Sequence, residues 1–103
     1  MIMKIKIYAD TGIFAENKDV AELIRVSRIL PALDRKEEVI LDFSGVESAT
    51  QSFVHALISE VIRTFGVDVL DNVLFKNCNE QIKTIIKIVV EYVQDGIYTE
   101  PDE

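Results

Sequence analysis

Six side chains able to carry a charge or accept a phosphate crowd one stretch of the chain. They are Asp42, Ser44, Glu47, Ser48, Thr50 and Ser52, within DFSGVESATQSF, residues 42–53. The stretch joins an apolar run, EVILDFS, to a segment with helical periodicity that begins near Gln51. Thr50 and Ser52 therefore fall at a helix's first turn, where backbone N–H groups lack intrahelical partners and favour an anion. A phosphorylated hydroxyl there would be stabilised by the helix terminus and would add roughly two negative charges. The same residues also have a purely structural use. Thr50 or Ser52 can serve as the helix N-cap, and Asp42 can satisfy an amide at a strand end. Both uses stay open on the residues alone.

Other chemistries fare worse. His55 lies one turn into the same helix, so Ser52 and His55 invite a nucleophile–base reading. No G-x-S-x-G elbow surrounds the serine, and His55 falls just off the apolar stripe, as a surface histidine would. Asp42 at a strand end, with Asp10 as an acidic partner, suggests a receiver-type phospho-acceptor aspartate. The chain is short for that fold and lacks its five-strand alternation. One histidine and one cysteine leave no recognisable metal-ligand spacing. Cys78 reads as a small packed hydrophobe. The four glycines never cluster into a phosphate-cradling loop. No catalytic residue, metal or cofactor is assigned.

The elements around the cluster follow from hydrophobic periodicity. Residues 1–8 alternate as a strand, with Ile2, Lys4 and Lys6 on one face and Met3, Ile5 and Ile7 on the other. Asp10, Thr11 and Gly12 form a turn, and residues 13–15 return as a short strand of an amino-terminal hairpin. Asn17 or Asp19 caps a helix carrying Val20, Leu23, Ile24, Ile29, Leu30 and Leu33. Pro31 interrupts that helix with a kink or restart, and the chain leaves it near Asp34. Residues 38–44 are the clearest strand, followed by a loop at 45–50. A helix over 51–65 presents Val54, Leu57, Ile58, Val61, Ile62 and Phe65 as one stripe, and Gly66 closes it. Residues 73–76 form a further strand. Asn77 or Asn79 caps a last helix with Ile82, Ile85, Ile86, Val89 and Val93 inward, closed by Gly96.

The order is β-(β)-α-β-α-β-α: a small α/β domain over residues 1–103, with about four strands in a mixed or mostly parallel sheet and three to four helices. Residues 98–103 read as a flexible acidic tail. Such sheets present functional loops at the carboxyl ends of their strands, here near residues 10–12, 44–52 and 77–80.

Composition narrows the classes. The 103 residues carry 11 Lys and Arg against 18 Asp and Glu, a net charge of -7. That balance opposes nucleic-acid and anionic-membrane binding and favours basic protein surfaces. At 49% hydrophobic residues the chain is no disordered segment. No stretch reads as a signal peptide or a membrane span, and a lone cysteine suits a reducing compartment, so the expected location is cytoplasmic.

Several short runs together resemble a known family. They are Arg25 with Ile29-Leu30-Pro31-Ala32-Leu33, then Val39-Ile40-Leu41-Asp42-Phe43 with Gly45-Val46, Thr50-Gln51-Ser52-Phe53, and Phe75-Lys76-Asn77. Over roughly residues 12–93 the sequence resembles bacterial STAS-like domains of unknown function, relatives of the STAS fold of anti-sigma-factor antagonists. In the antagonists a D-S-S-G signature follows the strand, and its first serine is phosphorylated by a GHKL-type ATPase partner. Laid on this chain, the pattern puts Ala49 at the aspartate, Thr50 at the phosphoacceptor, Gln51 at the second serine and Ser52 at the glycine. The resemblance implies a non-catalytic regulatory module whose partner is a GHKL-type ATPase or kinase. It also implies docking through Asp42, Ser44, Gly45, Glu47, Thr50, Gln51, Ser52 and His55. Thr50, with Ser52 and Ser48 behind it, is the candidate phosphoacceptor.

Overall fold

Where alternating residues include β-branched side chains, the backbone extends. In the computed structural model, which describes residues 1–95, β1 (Ile2–Lys6) is the first such element. It stops earlier than its pattern implies. Residues expected to continue the strand and then turn instead form a short helix, α1 (Ile7–Thr11), in which the Thr11 hydroxyl donates back to the Ile7 carbonyl. Next come β2 (Phe14–Ala15) and α2 (Lys18–Ile24). Asn17 caps α2, its side-chain oxygen accepting from the N–H groups of Asp19 and Val20.

A π-helical turn, Arg25–Ile29, links α2 to α3 (Leu30–Asp34), so the expected interruption at Pro31 is a restart. Pro31 has no N–H to offer the carbonyl four residues back. The wide turn ahead of it absorbs that mismatch, with the Leu30 N–H bonding five residues back to Arg25. The chain continues through β3 (Glu38–Asp42), β4 (Ser48–Ala49) and α4 (Gln51–Phe65). A 3-10 turn, Val67–Asp71, precedes β5 (Val73–Lys76) and α5 (Glu80–Asp95). Gly96 and the 98–103 tail lie outside the described residues.

β1, β3 and β5 form one parallel sheet in the order β1-β3-β5. Its register aligns Lys6, Asp42 and Lys76 at the carboxyl ends of the strands. The expected amino-terminal hairpin is not formed. The helical turn α1 carries residues 14–15 away from β1, and β2 pairs in parallel with β4 as a separate two-stranded sheet. Its register sets Ala15 opposite Ala49, both buried. A strand thus lies inside the segment expected to be plain loop.

One face of the large sheet is the core face. Ile5, Val39, Leu41 and Val73 pack there with Ala21 and Ile24 of α2, the α4 stripe, and Ile82, Ile86 and Val89 of α5. Met3 and Phe75 lean on the same cluster. In α4 the expected stripe is buried except at its end. Phe65 is 37% exposed, and Phe53 supplies a fully buried ring instead. Gly66, at φ 88, ends the helix with its N–H on the Ile62 carbonyl.

Candidate functional site

Asp42 ends β3 almost buried, at 5% exposure. Its Oδ1 accepts from the Asn77 side-chain amide at 2.8 Å and from the Ser44 N–H at 2.9 Å. Lys4 Nζ stands 3.6 Å from Oδ2. The Asn77 amide first, then the Ser44 N–H, hold the carboxyl below its ordinary range, with Lys4 adding to them against the opposing effect of burial. Asp42 therefore satisfies a strand-end amide, and through Asn77 it also ties β3 to the end of β5. Asn77 adopts φ 60, a left-handed conformation that asparagine tolerates better than most residues. It does not cap α5. Asn79 does, accepting from the Ile82 N–H at 2.9 Å.

The loop after Asp42 is fastened along its length. Val46 donates to the Phe43 carbonyl, and Glu47 to the Ile13 carbonyl. Asn79 Nδ2 donates to the Glu47 carbonyl at 2.7 Å. Gln81 grips Ala49 at both backbone groups: its amide nitrogen donates to the carbonyl at 3.0 Å, and its oxygen accepts the N–H at 3.0 Å. The Thr50 N–H reaches the Ala15 carbonyl at 3.0 Å. Gly45 turns at φ 88 directly against the Tyr8 ring.

This fastening leaves the hydroxyls outward. Ser44, Glu47, Thr50 and Ser52 are exposed, as is Gly45; Ser48 and Gln51 are half-buried. Thr50 is the N-cap of α4, its Oγ1 accepting from the Phe53 N–H at 3.1 Å. Ser52 stands in the first turn, so Thr50 and Ser52 both border a helix N-terminus. His55 is half-buried and turns elsewhere, lining a groove between α2 and α4 with Arg25 and Ser59. Arg25 donates there to the Ala56 carbonyl at 2.7 Å.

Asp10 bonds Arg28, with 3.2 Å between Oδ2 and Nη1. Asp42, for its part, is nearly buried and taken up by Asn77, Ser44 and Lys4, whereas Asp10 is exposed and paired with Arg28. Among the described residues no three His, Cys, Asp or Glu side chains gather as a metal site, and no helix is long and apolar enough to cross a membrane. Burial pushes the Cys78 thiol up, as suits a packed side chain.

Lys4, Asn77, Asn79 and Gln81 are site residues that periodicity alone misses. The polar run NCNEQ at 77–81 is their sequence signal, because it is rich in side-chain amides just after a strand. A family model, described as "STAS-like domain of unknown function (DUF4325)", matches residues 21–83, from α2 through the fastened loop to the clamping first turn of α5. The chain belongs to this STAS-like family. The five strands in parallel sheets accord with a STAS-like fold. No curated protein and no solved structure matches the chain. In this STAS-like chain, the matched segment contains Thr50 and every other residue of the 42–55 cluster.

Proposed function

We infer that this STAS-like protein is a non-catalytic regulatory module that docks a protein partner through residues 44–52 and the outer face of α4. The observation carrying this reading is the fastened loop. Asn79 and Gln81 hold its backbone from α5, Asp42 and Asn77 anchor its start, and Thr50 and Ser52 are left exposed at a helix N-terminus. A preorganised, outward polar loop loses little conformational entropy on binding. The partner suggested by the likeness to anti-sigma-factor antagonists is a GHKL-type ATPase or kinase. Phosphate on the Thr50 hydroxyl would sit where the α4 N–H groups favour an anion, and would change the charge of the docking face.

Isothermal titration of the purified protein with a GHKL-type ATPase from the same cells tests the reading. Wild type is expected to bind, and Thr50→Asp to change the affinity. If wild type, Thr50→Asp and Ser52→Asp all fail to bind, the reading falls. Intact mass of protein purified from its own cells checks separately for phosphate.

A further inference from the structure

The second face of the β1-β3-β5 sheet is bare of helices among the described residues. The side chains alternating with the core set are Ile2, Lys4 and Lys6 on β1, Glu38, Ile40 and Asp42 on β3, and Leu74 and Lys76 on β5. None of their aliphatic side chains belongs to the core cluster or packs against it. Ile2 is 61% exposed, and Ile40 and Leu74 are half-buried. Parallel sheets occur almost always with both faces covered, so a parallel sheet with an apolar centre on an open face is an unfinished layer.

The open face also inverts the charge of the molecule. On a chain of net charge -7, it gathers the exposed Lys4, Lys6 and Lys76 around Ile2, Ile40 and Leu74. Of its two carboxylates, Asp42 is nearly buried and already engaged by Lys4 and Asn77, and half-buried Glu38 lies at the opposite, amino end of the strands beside Ile2, away from Lys6 and Lys76. A shallow cavity of about 180 Å³, bordered by Lys4, Ile40, Asp42, Lys76 and Asn77, indents the surface.

We propose that this face docks one acidic amphipathic helix of a partner protein, with the helix's apolar stripe on Ile2, Ile40 and Leu74 and its carboxylates at Lys4, Lys6 and Lys76. The dimensions fit one helix. Three strands span about 10 Å across, the diameter of a single helix, and five residues of strand run about 17 Å, or some three helical turns. Charge complementarity selects an acidic occupant. A second copy of the chain would bring the same surplus of lysines, three against two carboxylates, to both sides of a two-fold interface. This surface is separate from the 44–52 loop and does not depend on the docking role given to it.

The test uses the full chain and a fluorescein-labelled synthetic helix of about four turns, with a leucine stripe and glutamate elsewhere, followed by anisotropy. A leucine–lysine helix of the same length is the counter-probe. The glutamate helix is expected to bind and to weaken as salt rises, and the lysine helix to be refused. Lys6→Glu with Lys76→Glu raises the glutamate helix's Kd at least about tenfold, while Lys18→Glu on α2 leaves it unchanged. Circular dichroism confirms that these surface variants remain folded.

The proposal is overturned if the glutamate helix does not bind, if the lysine helix binds equally well, or if the double reversal leaves Kd unmoved. A dimer in sedimentation equilibrium that the double reversal abolishes would assign the face to a second copy. Co-sedimentation with phosphatidylserine vesicles, lost in the same variant, would assign it to a lipid surface. Tighter probe binding after Glu100→Lys with Asp102→Lys would make the chain's own carboxyl-terminal residues the occupant. Each of these three results also overturns it.

Discussion

Asn77 Nδ2 donates to Asp42 Oδ1 at 2.8 Å, closing the carboxyl ends of two parallel strands with one side-chain bond. The Lys4 ion pair on the other oxygen is longer, at 3.6 Å, and the lysine is 57% exposed, so solvent screens it. The amide bond and the Ser44 N–H are the stronger holds. Asn77→Gly suits the local φ of 60 and isolates the lost hydrogen bond, with an expected cost of about 1–3 kcal/mol for a bond to a charged group. Lys4→Gln is expected to cost under about 1 kcal/mol. Urea denaturation of the two variants gives the comparison directly, and an equal loss in both would reverse this ranking.

The same carboxylate gives the molecule an acid limit. Its pKa in the fold is depressed below the ordinary 3.8, so the folded state binds this proton less readily than the unfolded state. Its contribution is complete above the unfolded pKa and is lost as pH falls through the lower folded value. Asp42→Asn keeps an oxygen for Ser44 and Asn77 but removes the charge. The expected outcome is a stability gap between wild type and variant that is constant near neutrality and narrows below pH 3.8. Denaturation midpoints measured across that range decide it, and a gap independent of pH would show that the charge is not the source.

What was legible in the sequence depends on how local its cause is. The α4 helix matches its periodicity at both ends because stripe, cap and closing glycine are all local to the segment, and β5 matches as a short apolar run between Asn72 and Asn77. The amino-terminal hairpin failed because the partner of β2 is a two-residue strand far along the chain, met through Ala15 and Ala49, and alanines carry no strand signal. The 42–53 cluster was legible as a polar crowd, since hydroxyls and carboxylates between two apolar elements stand out. Its fastening was not legible, because Gln81 and Asn79 reach it across a helix and a strand that no local spacing connects. The uncovered sheet face was half-visible, as Ile2, Lys4 and Lys6 already alternate out of the core.

Gln81 makes a sharper prediction about the loop. Both backbone groups of Ala49 depend on its side-chain amide, and Gln81→Ala removes both bonds without touching the α5 stripe. The expected cost is about 1–3 kcal/mol, with the N–H and carbonyl of Ala49 left to water. Hydrogen exchange at Ala49 is expected to rise well above the global unfolding rate while exchange in the middle of α4 stays slow. Equal acceleration throughout would mean that the clamp supports the whole fold rather than the loop.

Gly45 separates two costs that usually arrive together. At φ 88 any L side chain is strained, and a Cβ would stand 3.0 Å from Cδ1 of Tyr8. Tyr8 is 47% exposed, so its ring can yield by a few tenths of an ångström at little expense. The backbone term is therefore the larger, and Gly45→Ala is expected to cost about 1–2 kcal/mol. In a Tyr8→Ala background most of that cost persists, and a double-mutant cycle measures the remainder as the steric share. A cost that vanishes with the ring would show that contact, not φ, fixes glycine here.

Thr50 is where stability and the proposed docking role can be pulled apart. As N-cap it supplies the oxygen for the Phe53 N–H at 3.1 Å, so Thr50→Ala is expected to lose about 0.5–2 kcal/mol. Serine and aspartate cap as well as threonine or better, and aspartate's charge is favourable at a helix N-terminus. Thr50→Ser and Thr50→Asp should therefore match or exceed wild type in thermal melts. A binding change in Thr50→Asp then reports the added charge at the proposed docking loop and not a loosened helix. If Thr50→Asp melts below Thr50→Ala, the cap geometry assigned to this residue is wrong, and any loss of binding in that variant would have to be read as a folding defect.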